Sequence, residues 1–157
     1  DLAAAIGRHW PAIADLDGLS PYFRPEDTVH AGCRDDDEAL DEVRDAIALV
    51  VRSSDIVRDA AAAVKEIKAA VTRPEIDGYW LHVDVDILDS EVLPAVDSPS
   101  PGGLSAEQLT ELLRALAPGA VGAQVAVFDP DLDPDGRYAR MLTDVVVEGL
   151  EELGRDR

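Results

Sequence analysis

Asp84 and Asp86 stand two residues apart near the end of the apolar run Tyr79-Trp80-Leu81-His82-Val83-Asp84-Val85-Asp86-Ile87-Leu88. Read as a strand, this run points successive side chains to opposite faces, so the two carboxylates converge on one region. Val83, Val85 and Ile87 make the other face apolar. Burying two like charges side by side costs on the order of several kcal/mol each unless something pairs them. A divalent cation does so, and hard cations take oxygen ligands. The alternative is structural, because carboxylates at strand ends also cap loop N–H groups or pair with Arg.

The flanking elements decide where such a pair would sit. Residues 1–27 read as irregular, with a short helix at Ala3–Ile6 ended by Gly7. Thr28 to Cys33 reads as a strand. The acidic run Asp35-Asp36-Asp37-Glu38 opens a helix carrying Leu40, Val43, Ala46, Ile47 and Val50 on one face. The same run lacks the Gly and closing Glu of a calcium loop. A second helix spans roughly Asp59 to Thr72, and Pro74 stops it. After the strand holding the acid pair comes a loop with Pro94, Pro99, Pro101 and Gly102-Gly103. Ser105 opens the next helix, with Gln108 completing a capping box and Leu109, Leu112, Leu113 and Leu116 facing inward. Ala120 to Phe128 reads as a strand, and Asp129 to Gly136 as a turn-rich loop. A last helix carries Leu142, Val145, Val146, Gly149, Leu150 and Leu153 inward. Alternation of helices with near-continuous apolar strands predicts an α/β fold, a three-layer sandwich around a mainly parallel sheet. In such sheets, sites form beyond the carboxyl ends of the strands, where Asp84 and Asp86 lie.

Composition narrows the partners. The chain has 33 acidic and 14 basic residues and a net charge of -19, which argues against nucleic acid and against anionic lipid. Cys33 is the sole cysteine, so no internal disulfide can form, and a reducing, cytoplasmic setting is expected. No apolar run approaches the roughly 20 residues of a membrane span.

The string His82-Val-Asp84-Val-Asp86-Ile-Leu-Asp89, then Pro94-Ala-Val-Asp-Ser98-Pro99, then Gly102-Gly103-Leu104-Ser105, resembles the ureohydrolase superfamily of arginases, agmatinases and formiminoglutamases. Phe128-Asp129-Pro130-Asp131-Leu132-Asp133 looks like the loop after the next strand of that family, and Val29-His30-Ala31-Gly32 with Arg34-Asp35 also looks familiar. The resemblance implies an arginase-like fold and a pair of Mn²⁺ ions. Asp84 and Asp86 would be metal ligands, and the metals would activate a bridging water against a guanidinium or similar C–N carbon. It implies a small guanidino or amidine substrate, with Ser98 beside it, although a Ser between Asp97 and Pro99 also suits a plain turn. Asp89 matches a third acid, read as supporting the ligands or the loop.

The pattern also has gaps. The family's Gly-Gly-Asp-His and Asp-x-His-x-Asp motifs are absent, and His9, His30 and His82 read as structural or solvated. Val127 stands where arginases and agmatinases place a guanidinium-facing Glu, with Asp129 a possible partial substitute. The chain is about half the length the family implies, and its only Met is Met141. The expectation is therefore that residues 1–157 are the C-terminal portion of one arginase-like domain, inactive alone. A homo-oligomer or a missing N-terminal half would complete it, since a half-domain exposes sheet edges. The competing expectation is a non-catalytic α/β module that acts by assembly with a partner chain. A mononuclear Mg²⁺ phosphatase of the haloacid dehalogenase kind expects Asp-x-Asp-x-Thr near the N-terminus, which a mid-chain motif does not match.

Overall fold

The computed structural model describes residues 2–156. Short helices α1 (Leu2–Ala5) and α2 (Pro11–Ala14) precede β1 (Val29–Cys33), α3 (Leu40–Ala46), β2 (Leu49–Arg52), α4 (Ser53–Arg58) and α5 (Ala60–Val71). Then come β3 (Tyr79–Asp84), α6 (Ala106–Leu116), β4 (Ala120–Ala126) and α7 (Arg137–Gly149). All strand pairing in these elements is parallel: β1 with β2, and β3 with β4. This agrees with the parallel α/β architecture expected from the alternating pattern.

Some expectations are corrected. The helix expected from the acidic run ends at Ala46, not beyond Val50, and Leu49–Arg52 is a strand that hydrogen-bonds β1 from Val29↔Leu49 to Cys33↔Arg52. Ile47 has already turned to extended backbone (φ -127°, ψ 173°), and the β-branched run that follows suits a pleated surface. The acidic run stands in turns ahead of α3, whose own first turn carries Asp41 and Glu42. A further correction is Leu153, which lies past the end of α7 and is 40% exposed. Helix α4 is an element the periodicity did not single out.

Two apolar clusters hold the elements. One gathers Val83, Val85, Leu88, Leu93 and Val96 with Leu109 and Leu113 of α6 and Leu142 and Val145 of α7. The other joins Val51, Ile56, Ala63, Ile67 and Leu104 to Leu112 and Leu116 of α6, with Val29, Ala31 and Leu81 packed on it. Helix α6 thus has one edge in each cluster and fixes the two strand pairs on one helical layer. Alternate residues of β3 point the other way, and Trp80, His82 and the neighbouring Gln124 are exposed on a face those helices leave bare. Among the described residues, no helix is long and apolar enough to cross a membrane.

The start of α6 follows the capping box read from the sequence. Gln108 N donates to Ser105 Oγ at 3.2 Å, and Ser105 N donates to Gln108 Oε1 at 2.8 Å. Ser105→Ala should cost about 1 kcal/mol. Urea denaturation should show a lower midpoint at unchanged slope.

Candidate metal centre

Asp84 is the last residue of β3, and Asp86 sits in the single 3-10 turn Val85–Ile87 that follows. The two acids do meet, though not through strand alternation as the spacing predicts. The turn folds Asp86 back so that its N–H donates to Asp84 Oδ1 at 3.3 Å. Burial, the Asp84 charge and a hydrogen bond to Asp84 push the Asp86 carboxyl up to about 6, with Asp97 adding to the rise and Arg34 opposing it. Among the described residues, no side-chain cation forms an ion pair with either acid.

The nearby cation is already committed. Arg34, 8% exposed, donates to five backbone carbonyls: Pro101 O (3.0 Å), Gly32 O (3.1 Å), Asp86 O (2.8 Å), Leu88 O (3.1 Å) and Ser100 O (3.2 Å). Its own N–H is taken by Asp37 Oδ2 at 3.0 Å. Arg34 therefore ties the end of β1 to the turn after β3 and to the Pro-rich loop. Sequence reasoning noted it only as part of a familiar string. The signal available was an Arg directly after a buried strand, which has no apolar role there.

Asp89 holds the same loop from the opposite side. Its carboxylate accepts from Glu91 N (2.9 Å), Gly102 N (2.7 Å) and Gly103 N (3.2 Å), which holds its pKa below the usual carboxylate value. Of the two readings weighed for Asp89, the contacts show loop stabilisation. Ser98 is exposed, next to the Asp97 whose charge reaches Asp86. Val127 directly follows β4 with φ 77°, an uncommon backbone for a β-branched residue, and its half-buried side chain packs on the first core cluster. Asp129 accepts from Asp131 N at 2.9 Å and so shapes the turn. His82 shares a 2.6 Å contact with Gln124 on the bare face, His9 lies beside Trp10, and half-buried His30 has its pKa lowered by burial against the raising charges of Asp37 and Asp84.

The donor chemistry fits one side of a divalent cation: two adjacent carboxylates, short of positive charge, at the carboxyl end of a parallel strand. The ligand number does not. Among the described residues, no group of three or more His, Cys, Asp or Glu side chains could hold a metal ion.

The raised Asp86 pKa has a consequence for the metal-free chain. Its folded value exceeds its unfolded one, so its protonated form favours folding; that stability is full below about pH 3.8 and is lost as pH rises through about 6. Asp86→Asn should flatten this slope. Near neutral pH with chelator present, it should raise stability by about 1 kcal/mol after allowance for solvent screening. Denaturation midpoints at pH values on both sides of that window check it, and equal slopes in both proteins would refute it.

Residues 16–150 match the Arginase family. An arginase from Bacillus caldovelox is 29% identical over 141 residues, covering 88% of this chain and 47% of the relative. A formimidoylglutamase from Bacillus subtilis (strain 168) is 28% identical over 107 residues, covering 66% of this chain and 33% of the relative. The crystal structure of an arginase from Bacillus cereus superposes with a TM-score of 0.81 at 29% identity, over 96% of this chain and 52% of that one. The chain thus spans about half the length of the arginases it matches, and with its parallel α/β core and the acid pair closing β3 it belongs to the arginase family.

Proposed function

We propose that this chain is the C-terminal portion of a manganese-dependent hydrolase that cleaves a guanidino or related C–N bond in a small amidine substrate. The observation that carries the reading is the Asp84–Asp86 pair, crowded enough to raise Asp86 to about 6 and, among the described residues, in ion-pair contact with no cationic side chain. Asp84 and Asp86 would hold metal, and the remaining ligands would come from outside the described residues. When bound, the metal pair supplies a hydroxide from water near neutral pH. The chain's own residues do the rest. Asp89 and Arg34 hold the loop and the turn that carry the acids, and Ser98 stands exposed on that loop to meet substrate. Val127 offers no charge to a guanidinium, which favours a substrate whose cationic group is held elsewhere.

The competing reading, a non-catalytic module acting by assembly, draws support from the short ligand set and from Val127. Calorimetric Mn²⁺ titration separates the two. The hydrolase reading expects measurable Mn²⁺ binding that Asp84→Ala/Asp86→Ala abolishes. Identical titrations of the two proteins would leave only the assembly module. The pure 157-residue chain should release no urea from arginine or agmatine. Metal-dependent release by that chain would overturn the need for further ligands.

A further inference from the structure

The chain holds three Asp-Gly steps: Asp17–Gly18, Asp77–Gly78 and Asp135–Gly136. Such a step can rearrange without an enzyme. The glycine N is the least hindered of backbone nitrogens, because no Cβ guards it against the approaching Asp Cγ. What the fold leaves free decides which steps react.

Two of the steps are held. Gly136 N donates to Asp133 O at 3.0 Å, Asp135 Oδ1 accepts from Arg137 N at 3.2 Å, and Arg140 donates to Asp135 O at 3.0 Å. The nitrogen, the carboxyl and the carbonyl of that step are all engaged. Gly78 is half-buried beside Tyr79 and Gly119, and Asp77 has a partner of its own. Asp17–Gly18 differs. Both residues are exposed, and a Cβ built on Gly18 would meet nothing within 4 Å. The Asp17 carboxyl forms no ion pair among the described residues. The two residues are the centre of a tight turn that Leu19 N closes on Leu16 O at 3.2 Å, with φ 58° at Asp17 and 73° at Gly18. Asp17 therefore stands in the left-handed region, which costs any residue with a Cβ.

We propose that Asp17–Gly18 is a site of spontaneous isoaspartate formation in the folded protein, and that the fold shields the other two steps. Gly18 N attacks Cγ of the Asp17 carboxylic acid. The N–Cγ bond forms, and the acid hydroxyl leaves as water with the amide proton. Water then adds to the Asp17 main-chain carbonyl carbon of the cyclic imide, and the bond from that carbon to Gly18 N breaks. The main chain now runs through Cγ, longer by a methylene, and Asp17 carries a free α-carboxylate. The water lost in the first step returns in the second, so nothing is oxidised or reduced and the mass is unchanged. The longer main chain also frees Asp17 from its left-handed backbone.

The test uses the whole chain, folded, after weeks in mildly acidic buffer. The probe is a methyltransferase that esterifies isoaspartyl α-carboxylates from S-adenosylmethionine, with peptide mapping of the labelled product. Label at position 17 alone is the expected result, since exposed loop tips are where a chain is most open to change. A parallel sample unfolded in urea should carry label at all three Asp-Gly steps. Asp17→Glu, whose longer side chain disfavours the five-membered ring, should lose the folded chain's label. Equal label at 77 or 135 in the folded chain would overturn the proposal. So would a folded chain without label at 17 beside an unfolded one that reacts, or no label in either. The wild-type map decides even if Asp17→Glu fails to fold.

Discussion

Arg34→Met should lower the unfolding free energy by about 3–5 kcal/mol, because several of the carbonyls it serves are buried and each orphaned acceptor costs about 1–3 kcal/mol. The guanidinium reaches Pro101, Gly32, Asp86, Leu88 and Ser100 at once, joining segments more than 50 residues apart. Met matches the stem's apolar volume, so the loss reports hydrogen bonds rather than a cavity. Arg34→Lys should recover only a small part, since an ammonium cannot hold a planar fork of acceptors. Urea denaturation measures both variants. A second readout distinguishes this arrangement from generic packing: with the cation gone, Asp86 loses the Arg34 charge that opposes the rise of its pKa, and its titration should move further upward. A loss under about 1 kcal/mol would mean that water replaces Arg34 at those carbonyls.

The sequence makes the acid pair readable because Asp-x-Asp closes the run that reads as the strongest strand of the chain, and the pleat rule then brings the carboxylates together. The rule reaches the right neighbours by the wrong route. The backbone leaves the strand at Asp84, and a turn, not alternation, returns Asp86. Strand β2 was hidden for a related reason. Leu49 to Val51 continues the helical spacing of Leu40, Val43 and Ala46, so one apolar run satisfied two periods, and pairing with β1 decided between them. Local rules did better where the partners are near in sequence, as in the Ser105–Gln108 box. An Arg directly after a buried strand marks Arg34 out, but its partners were illegible, because its acceptors are backbone carbonyls up to 67 residues away, which no side-chain pattern announces. Val127 could be recognised as a departure from the family, but not its positive φ or its packing into the core. On the proposed reading, the short ligand set has a physical origin as well: a parallel sheet gathers its site from the ends of several strands, so a portion of the domain would hold only some of the ligands.

Gly103→Ala should destabilise the protein by about 3 kcal/mol, at the upper end of overpacking costs, although alanine is the smallest possible change. A Cβ at this position would lie 2.5 Å from both Asp89 N and Leu88 C, and 2.6 Å from Arg34 Nη2. The first two are backbone atoms and cannot swing aside. Nor can the loop retreat. Leu104 N donates to Ile87 O and Asp89 N donates to Leu104 O, each at 2.9 Å, while the Leu104 side chain is fully buried. The neighbouring glycine supplies the control. Gly102 has φ 82°, but its nearest neighbour to a new Cβ is Arg34 Cδ at 3.9 Å. Gly102→Ala should therefore cost only the left-handed backbone penalty of about 1–2 kcal/mol. If close approach of the loop to the acid-bearing turn governs this region, Gly103→Ala is the worse variant and also weakens the proposed Mn²⁺ binding, because the displaced backbone belongs to the segment that holds Asp86. If Gly102→Ala proves worse, backbone conformation governs the loop, and the turn carrying Asp86 keeps its place without the Gly103 contact.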